Sequence, residues 1–168
     1  MKNDYITRAR KFVPVINNIL NNADNNKMKI QNYVEEYNIS HKRKVIFSWG
    51  IARYAFITSD YVIKVEYDTE SIDTYGGCED EMRLYGEAKI DNMEYLFAEI
   101  TRYTYHGTNY YIMPRIKGIG KTYCNAYEYM NDKEFEWCHE HNISDLHMYN
   151  YGWKKNQICI VDYACCSF

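Results

Sequence analysis

Long apolar runs are missing from this chain: nowhere do about eighteen such residues stand together, which excludes a membrane-spanning helix read from sequence. The first residues also lack the cationic, apolar and small-residue order of a secretory signal. A soluble, cytoplasmic protein is the expectation, with a host cell's cytoplasm as one setting. Six cysteines, at 78, 124, 138, 159, 165 and 166, have no regular spacing, and adjacent Cys165 and Cys166 are poorly placed to pair with each other. Reduced thiols follow. Without a Cys-x-x-Cys, a zinc site assembled from Cys138, His139, His141 and the terminal cysteines is set aside. Gly118-Ile119-Gly120-Lys121-Thr122 lacks the first glycine of Gly-x-x-x-x-Gly-Lys-Thr, whose place Arg115 takes, and a phosphate loop of that type is rejected.

What the chain has is aromatic surface and a divided charge. Nineteen tyrosines among 168 residues supply large contact areas to a chain that can bury about 70% of its unfolded surface, enough for one domain or two small lobes. The net charge of −3 hides +6 over residues 1–64 and −9 over residues 65–168. The basic part is expected to pack against the acidic remainder of the same chain, and neither a nucleic-acid nor a membrane partner is expected.

In chain order, Ile6, Phe12, Val13, Ile16, Ile19 and Leu20 form a helical stripe that Pro14 starts or kinks and the Asn-rich stretch 17–26 ends. Lys27 to Tyr37 reads as a second helix with Met28, Ile30, Tyr33, Val34 and Tyr37 on its apolar side. These residues make an extension that either braces the next sheet, the preferred reading, or docks a partner. Val45–Phe47, Arg53–Thr58 and Tyr61–Tyr67 read as a three-stranded antiparallel meander. Its third strand puts Lys64 inside Val62-Ile63-Lys64-Val65, where an ammonium either is paired or alternates out to water from an edge strand. Glu79 to Lys89 reads as a helix with Met82, Tyr85 and Ala88 on one side, and Leu96–His106 with Asn109–Ile116 as a hairpin. Tyr123 to His141 reads as a further helix that buries Tyr127, Met130, Phe135 and Trp137.

The chemistry concentrates in Ile143 to Ala164. Tyr151–Trp153 and Gln157–Val161 flank the polar Lys154-Lys155-Asn156 as a hairpin, whose closure brings Asn150 beside Asp162. An amide oxygen and a carboxylate so placed, with Asp145 on the preceding loop, suit Mg²⁺ and a polyphosphate. Asp145 then faces the reacting hydroxyl.

Asp145-x-x-x-x-Asn150 followed by Asp162 at the end of an apolar strand resembles the catalytic loop and metal-binding Asp of the protein-kinase-like superfamily, nearest its small bacterial or viral branches. The resemblance covers roughly residues 44–168. It implies that Asp145 accepts the hydroxyl's proton and that Asn150 and Asp162 hold Mg²⁺. Lys64 would bind the nucleotide phosphates and pair with Glu81, with Glu79 and Asp80 as competitors for that role. Gly50 is what remains of the glycine-rich phosphate cover, Trp49 would cap the nucleotide, and Met113 and Arg115, around Pro114, would meet adenine at a hinge. Departures are Ile143-Ser144 in place of His-Arg and Asp162-Tyr163-Ala164 in place of Asp-Phe-Gly.

The fold class implied is α+β and protein-kinase-like. Residues 1–43 would be a helical extension, 44–112 an antiparallel small lobe, and 113–168 a much reduced second lobe. Only six residues follow Asp162, which leaves no activation segment. Two functions are compatible with this: a minimal ATP- and Mg²⁺-dependent kinase acting on a protein, or a pseudokinase that binds a protein. The second rests on Tyr163 and Phe168 being exposed to another chain.

Overall fold

Ala9, Phe12, Val13, Ile16, Ile19 and Ala23 recur at helical spacing and wind the chain into α1 (Asp4–Ala23), where all six are buried. The computed structural model describes residues 4–68, 76–121 and 124–163. They divide into a first unit of residues 1–69 and 101–115 and a second of residues 70–100 and 116–168. Within the first, Pro14 lies inside α1 with its ring toward solvent, and the helix continues past it because the buried stripe does. The Asn-rich stretch 17–26 ends α1 as expected, with Ala23 as the last helical residue. Asn22 donates back to the Asn18 carbonyl, and Asn17 accepts the Tyr110 hydroxyl at 2.9 Å, so these amides serve the helix and its packing.

Asp24 and Asn25, both at positive φ, turn the chain. Asn26 then caps α2 (Lys27–His41) by accepting the Lys29 N–H. This helix runs past the expected Tyr37 and buries only Ile30 and Val34, while Met28 and Tyr33 are exposed. Its end is fixed by Lys42 in the left-handed region and by Asn38, whose amide exchanges two 2.8 Å hydrogen bonds with the Val45 backbone. That amide substitutes for a strand partner where the sheet begins.

The sheet contains β1 (Ile46–Trp49), β2 (Arg53–Ile57), β3 (Tyr61–Glu66), β4 (Thr101–Tyr105) and β5 (Thr108–Pro114) in the order β1-β2-β3-β5-β4, antiparallel throughout. The β4–β5 turn is His106-Gly107, both at positive φ, as a two-residue hairpin requires. Phe47, Tyr54, Phe56, Tyr61, Ile63, Val65, Tyr110 and Ile112 meet the buried stripe of α1. The helices therefore brace one face of the sheet. Pro114 is harmless in β5 because β4 has ended opposite Ile112, so no neighbour requires its missing N–H.

In the second unit, Gly77 and an acidic first turn open α3 (Cys78–Ile90), which buries Cys78, Glu81, Leu84 and Ala88. The expected long helix from Tyr123 is instead a single 3-10 turn (Ala126–Tyr129) followed by α4 (Asp132–Glu140), because Asn131 and Glu134 close a reciprocal capping box at residue 131. The short helix buries Trp137 but leaves Tyr127 and Phe135 exposed; residues 122 and 123 lie outside the described ones.

A hairpin of β6 (Tyr151–Lys154) and β7 (Gln157–Ile160) turns at Lys155-Asn156, again both at positive φ. It gains a neighbour on each side: Trp153 N–H donates to the Lys117 carbonyl, and Ala98 N–H to the Ile160 carbonyl, each at 2.8 Å. Gly152 is what lets the first neighbour approach, since a Cβ there would lie 2.5 Å from the Lys117 oxygen and 2.7 Å from Ile116 Cγ2. Gly152→Ala is expected to cost about 1–3 kcal/mol in urea unfolding. An unchanged midpoint would mean that the 116–117 segment is not held against β6. No helix among the described residues is long and apolar enough to cross a membrane.

Candidate functional site

The loop that leaves α4 is pinned by two apolar plugs, buried Ile143 and Leu146, with Asp145 between them. Ile143 N–H donates to the Cys138 carbonyl at 2.8 Å, and Leu146 N–H to the Ser144 carbonyl at 2.9 Å. The tight turn at Asp145 projects its carboxylate outward, where the side chain is 54% exposed. His147 Nε2 lies 3.3 Å from Asp145 Oδ1, and its Nδ1 accepts the Tyr149 N–H at 3.2 Å. Because Nδ1 accepts, the neutral ring carries its proton on Nε2, the nitrogen nearer Asp145. His147 thus belongs to the site, although sequence reasoning gave it no role; its place two residues after Asp145 was the available signal.

Asn150 is only 8% exposed. Its Nδ2 donates to the Asp145 main-chain carbonyl at 2.9 Å, its N–H to the His147 carbonyl at 2.9 Å, and its own carbonyl accepts Val161 N–H at 2.8 Å. With Nδ2 spent on the loop, Oδ1 is the acceptor that remains. The register Tyr151↔Ile160, extended by the Asn150–Val161 bond, brings Asp162 next to Asn150. The Asn150 amide thus ties the Asp145 loop to the hairpin, and Asp162 follows Val161, the residue opposite Asn150.

Tyr163 is buried rather than offered to another chain, which corrects the expectation of an exposed residue there. Its hydroxyl donates to the Ala98 carbonyl at 2.8 Å and its ring lies 4.9 Å from Phe97. Burial pushes the Tyr163 phenol far up, and the nearby Glu81 carboxylate and Tyr85 add to this. Locking Tyr163 fixes the backbone at Asp162. Phe168 lies outside the described residues.

Glu81 is 0% exposed on α3, while its competitors Glu79 and Asp80 are exposed or half-buried, so burial singles Glu81 out. In the first unit, Lys64 is 9% exposed in β3, between Ala55 of β2 and Tyr111 of β5. It is therefore no edge-strand lysine alternating out to water. Since Tyr61, Ile63 and Val65 face α1, strand alternation turns Lys64 to the opposite face, in one row with Ala55 and Tyr111. Neither Lys64 nor Glu81 is without a partner.

The remaining nucleotide candidates sit on the same sheet. Trp49 ends β1 with its side chain half-exposed. Gly50 opens the Ile51-Ala52 turn, but its N–H already donates to the Arg53 carbonyl at 2.9 Å. The carbonyls of Gly50 and Ile51 both accept the Tyr67 hydroxyl, at 2.7 and 2.5 Å. Tyr67 in turn stacks on Tyr54, 4.1 Å between centroids, and lies under Lys27 Nζ. Met113 pairs with Val62 in the ladder, and Arg115 N–H donates to the Asp60 carbonyl at 2.9 Å. Antiparallel alternation makes Met113 and Val62 a hydrogen-bonded pair as well, two residues from that of Arg115 and Asp60. The hinge candidates have spent their N–H groups inside the sheet.

Among the described residues no group of three or more His, Cys, Asp or Glu is disposed to hold a metal. The donor set at the hairpin is an amide oxygen and a carboxylate. It fits a hard cation that keeps water and takes its other ligands from phosphate. No protein-family model matches this chain, and no curated protein matches it.

Proposed function

We propose that this chain is a minimal protein-kinase-like phosphotransferase, which uses ATP and Mg²⁺ to phosphorylate a hydroxyl on a protein. The observation that carries the reading is the buried Asn150 side chain, whose amide is tied to the Asp145 carbonyl while the hairpin register sets Asp162 beside it. A loop carboxylate left exposed beside two fixed oxygen donors is what phosphoryl transfer needs from a protein, because the catalysis is positioning and electrostatics. Mg²⁺ bound with ATP would supply neutralisation of the phosphate charge. Asn150 Oδ1 and the Asp162 carboxylate are the residues that would hold it.

Asp145 would take the hydroxyl's proton, with His147 Nε2 beside the carboxylate at 3.3 Å. Lys64, buried on the face away from α1, is the candidate for the phosphates, and Glu81 is its candidate counter-ion. Trp49 is the candidate cap over the nucleotide. Met113 and Arg115 remain the candidates to meet adenine; the ladder engages both main-chain groups of Met113, so of the two it is Arg115 that has a carbonyl oxygen to offer.

One observation favours a second reading, a pseudokinase that binds a protein. Gly50 N–H, the backbone donor expected over the phosphates, is already consumed by the Arg53 carbonyl. A thermal shift with ATP, with and without Mg²⁺, on the wild type and Asp162→Asn separates the two. At about a hundred times its dissociation constant, a ligand of the folded state adds roughly 2.7 kcal/mol. The kinase reading expects a Mg²⁺-dependent rise in melting temperature that Asp162→Asn loses. An absent rise in the wild type overturns it and leaves the binding module.

A further inference from the structure

The basic third of the sequence is not absorbed by the site described above. In the first unit a cavity of about 740 Å³ opens where the end of α2 meets α1 and the β2–β3 turn. Arg8, Lys11, Lys42, Arg43 and Lys44 line it, and Asp60 is its one acid. Arg8 pairs with Asp60 and with Asp4, so the acid is already neutralised. The side chains of Lys11, Lys42, Arg43 and Lys44 make no hydrogen bond or ion pair among the described residues. Four like charges around one hollow repel one another, and an anion placed there would relieve the repulsion.

The apolar lining narrows the class of anion. Tyr37 stacks on His41 at 4.3 Å and packs against Phe12 at 5.4 Å, while Phe12 and Tyr61 are themselves buried. No open ring face is left for a nucleobase, and stacking is what single-stranded nucleic acid requires of such a surface. The volume is that of a small-ligand site. We infer that this cavity binds a compact polyphosphate carrying several phosphates and no base, such as an inositol polyphosphate. The inference is independent of the nucleotide reading, since it uses none of those residues.

Titration calorimetry with inositol hexakisphosphate and with inorganic tripolyphosphate, without Mg²⁺, tests it. The wild type should bind one hexakisphosphate per chain, with affinity falling steeply between about 50 and 200 mM salt. The triple variant Lys42→Ser, Arg43→Ser, Lys44→Ser should weaken binding roughly tenfold or more. Lys11→Ser, on a different element, should weaken it in the same direction. A control with the same loss of charge elsewhere, Lys29→Ser, Lys133→Ser, Lys155→Ser, should stay within about twofold. Circular dichroism melts confirm that each variant is folded.

Sedimentation with vesicles containing phosphatidylinositol bisphosphate, compared with phosphatidylserine vesicles of equal charge, tells a lipid headgroup from a free anion. The triple variant should lose whichever binding is seen. The proposal is overturned if the folded wild type binds neither probe, or if the control weakens binding as much as the triple variant. It is also overturned if single-stranded RNA or a phosphate-free polyglutamate binds the cavity more tightly than hexakisphosphate.

Discussion

On the proposed phosphotransferase reading, Asp145→Asn is expected to lower phosphoryl transfer to protein hydroxyls roughly 10²–10⁴-fold, the range for loss of a positioned general base. Stability should change by less than about 0.5 kcal/mol, as for a surface substitution away from special features. The carboxylate is exposed, and the loop around it is held by buried Ile143 and Leu146 and by the Asn150 amide on the Asp145 main-chain carbonyl. None of these depends on the side chain's charge. An amide oxygen keeps the shape and accepts hydrogen bonds, so what the variant lacks is an acceptor basic enough for the hydroxyl's proton. The check is labelled-phosphate transfer from ATP to the chain itself and to a mixed protein substrate, alongside urea unfolding. Transfer at the wild-type rate would remove Asp145 from the chemistry. A loss accompanied by several kcal/mol of destabilisation would make it a folding residue.

Phe97→Ala carries the largest expected cost in stability, roughly 3–5 kcal/mol. Phe97 is 1% exposed, with its ring 5.4 Å from Trp137 and 4.9 Å from Tyr163. Its backbone runs beside the end of β7, where Ala98 donates to Ile160 and accepts from the Tyr163 hydroxyl. Truncation would leave a cavity where three rings meet and would free Tyr163, and with it the backbone at Asp162. The urea midpoint should fall, and Mg²⁺-dependent stabilisation by ATP should weaken with it. Phe135→Ala, at an exposed ring on α4, is the comparison and should cost far less. Equal costs at the two positions would show that the Phe97 site collapses around the missing ring.

The elements legible beforehand were those set by local pattern. β6 and β7 are short aromatic and β-branched runs around a Lys-Asn turn that tolerates positive φ, and the antiparallel register that follows pairs Tyr151 with Ile160. The antiparallel meander and the β4–β5 hairpin were readable for the same reason, because turn chemistry and strand period act within a few residues. Local signals misled where a tertiary surface outweighed them. Pro14 argues for a start or a kink in the first helix, yet α1 runs from Asp4 to Ala23 because its buried stripe has a sheet to meet. At Asn131 the reverse holds: a reciprocal cap ended the pattern expected to continue from Tyr123, and Tyr127 and Phe135 lost their place in a core.

Burial and pairing of charge lay beyond the sequence. Strand period does not say whether Lys64 reaches water, since an edge and a central strand alternate alike; β5 pairing on the far side of β3 makes it central. Composition likewise cannot assign partners to the basic residues, because Coulomb attraction depends on distance and the chain path sets distance. By itself the sequence determined an α+β chain with an antiparallel sheet and the hairpin that carries Asn150 at one end and Asp162 at the other, through turns and strand-forming runs. Only the tertiary structure decided that Lys64 and Glu81 are buried, that Tyr163 is an anchor rather than an exposed surface, and that Lys11, Lys42, Arg43 and Lys44 surround one cavity with no ion-pair partner among the described residues. Each of those outcomes depends on packing between segments distant in the chain, which no local period encodes.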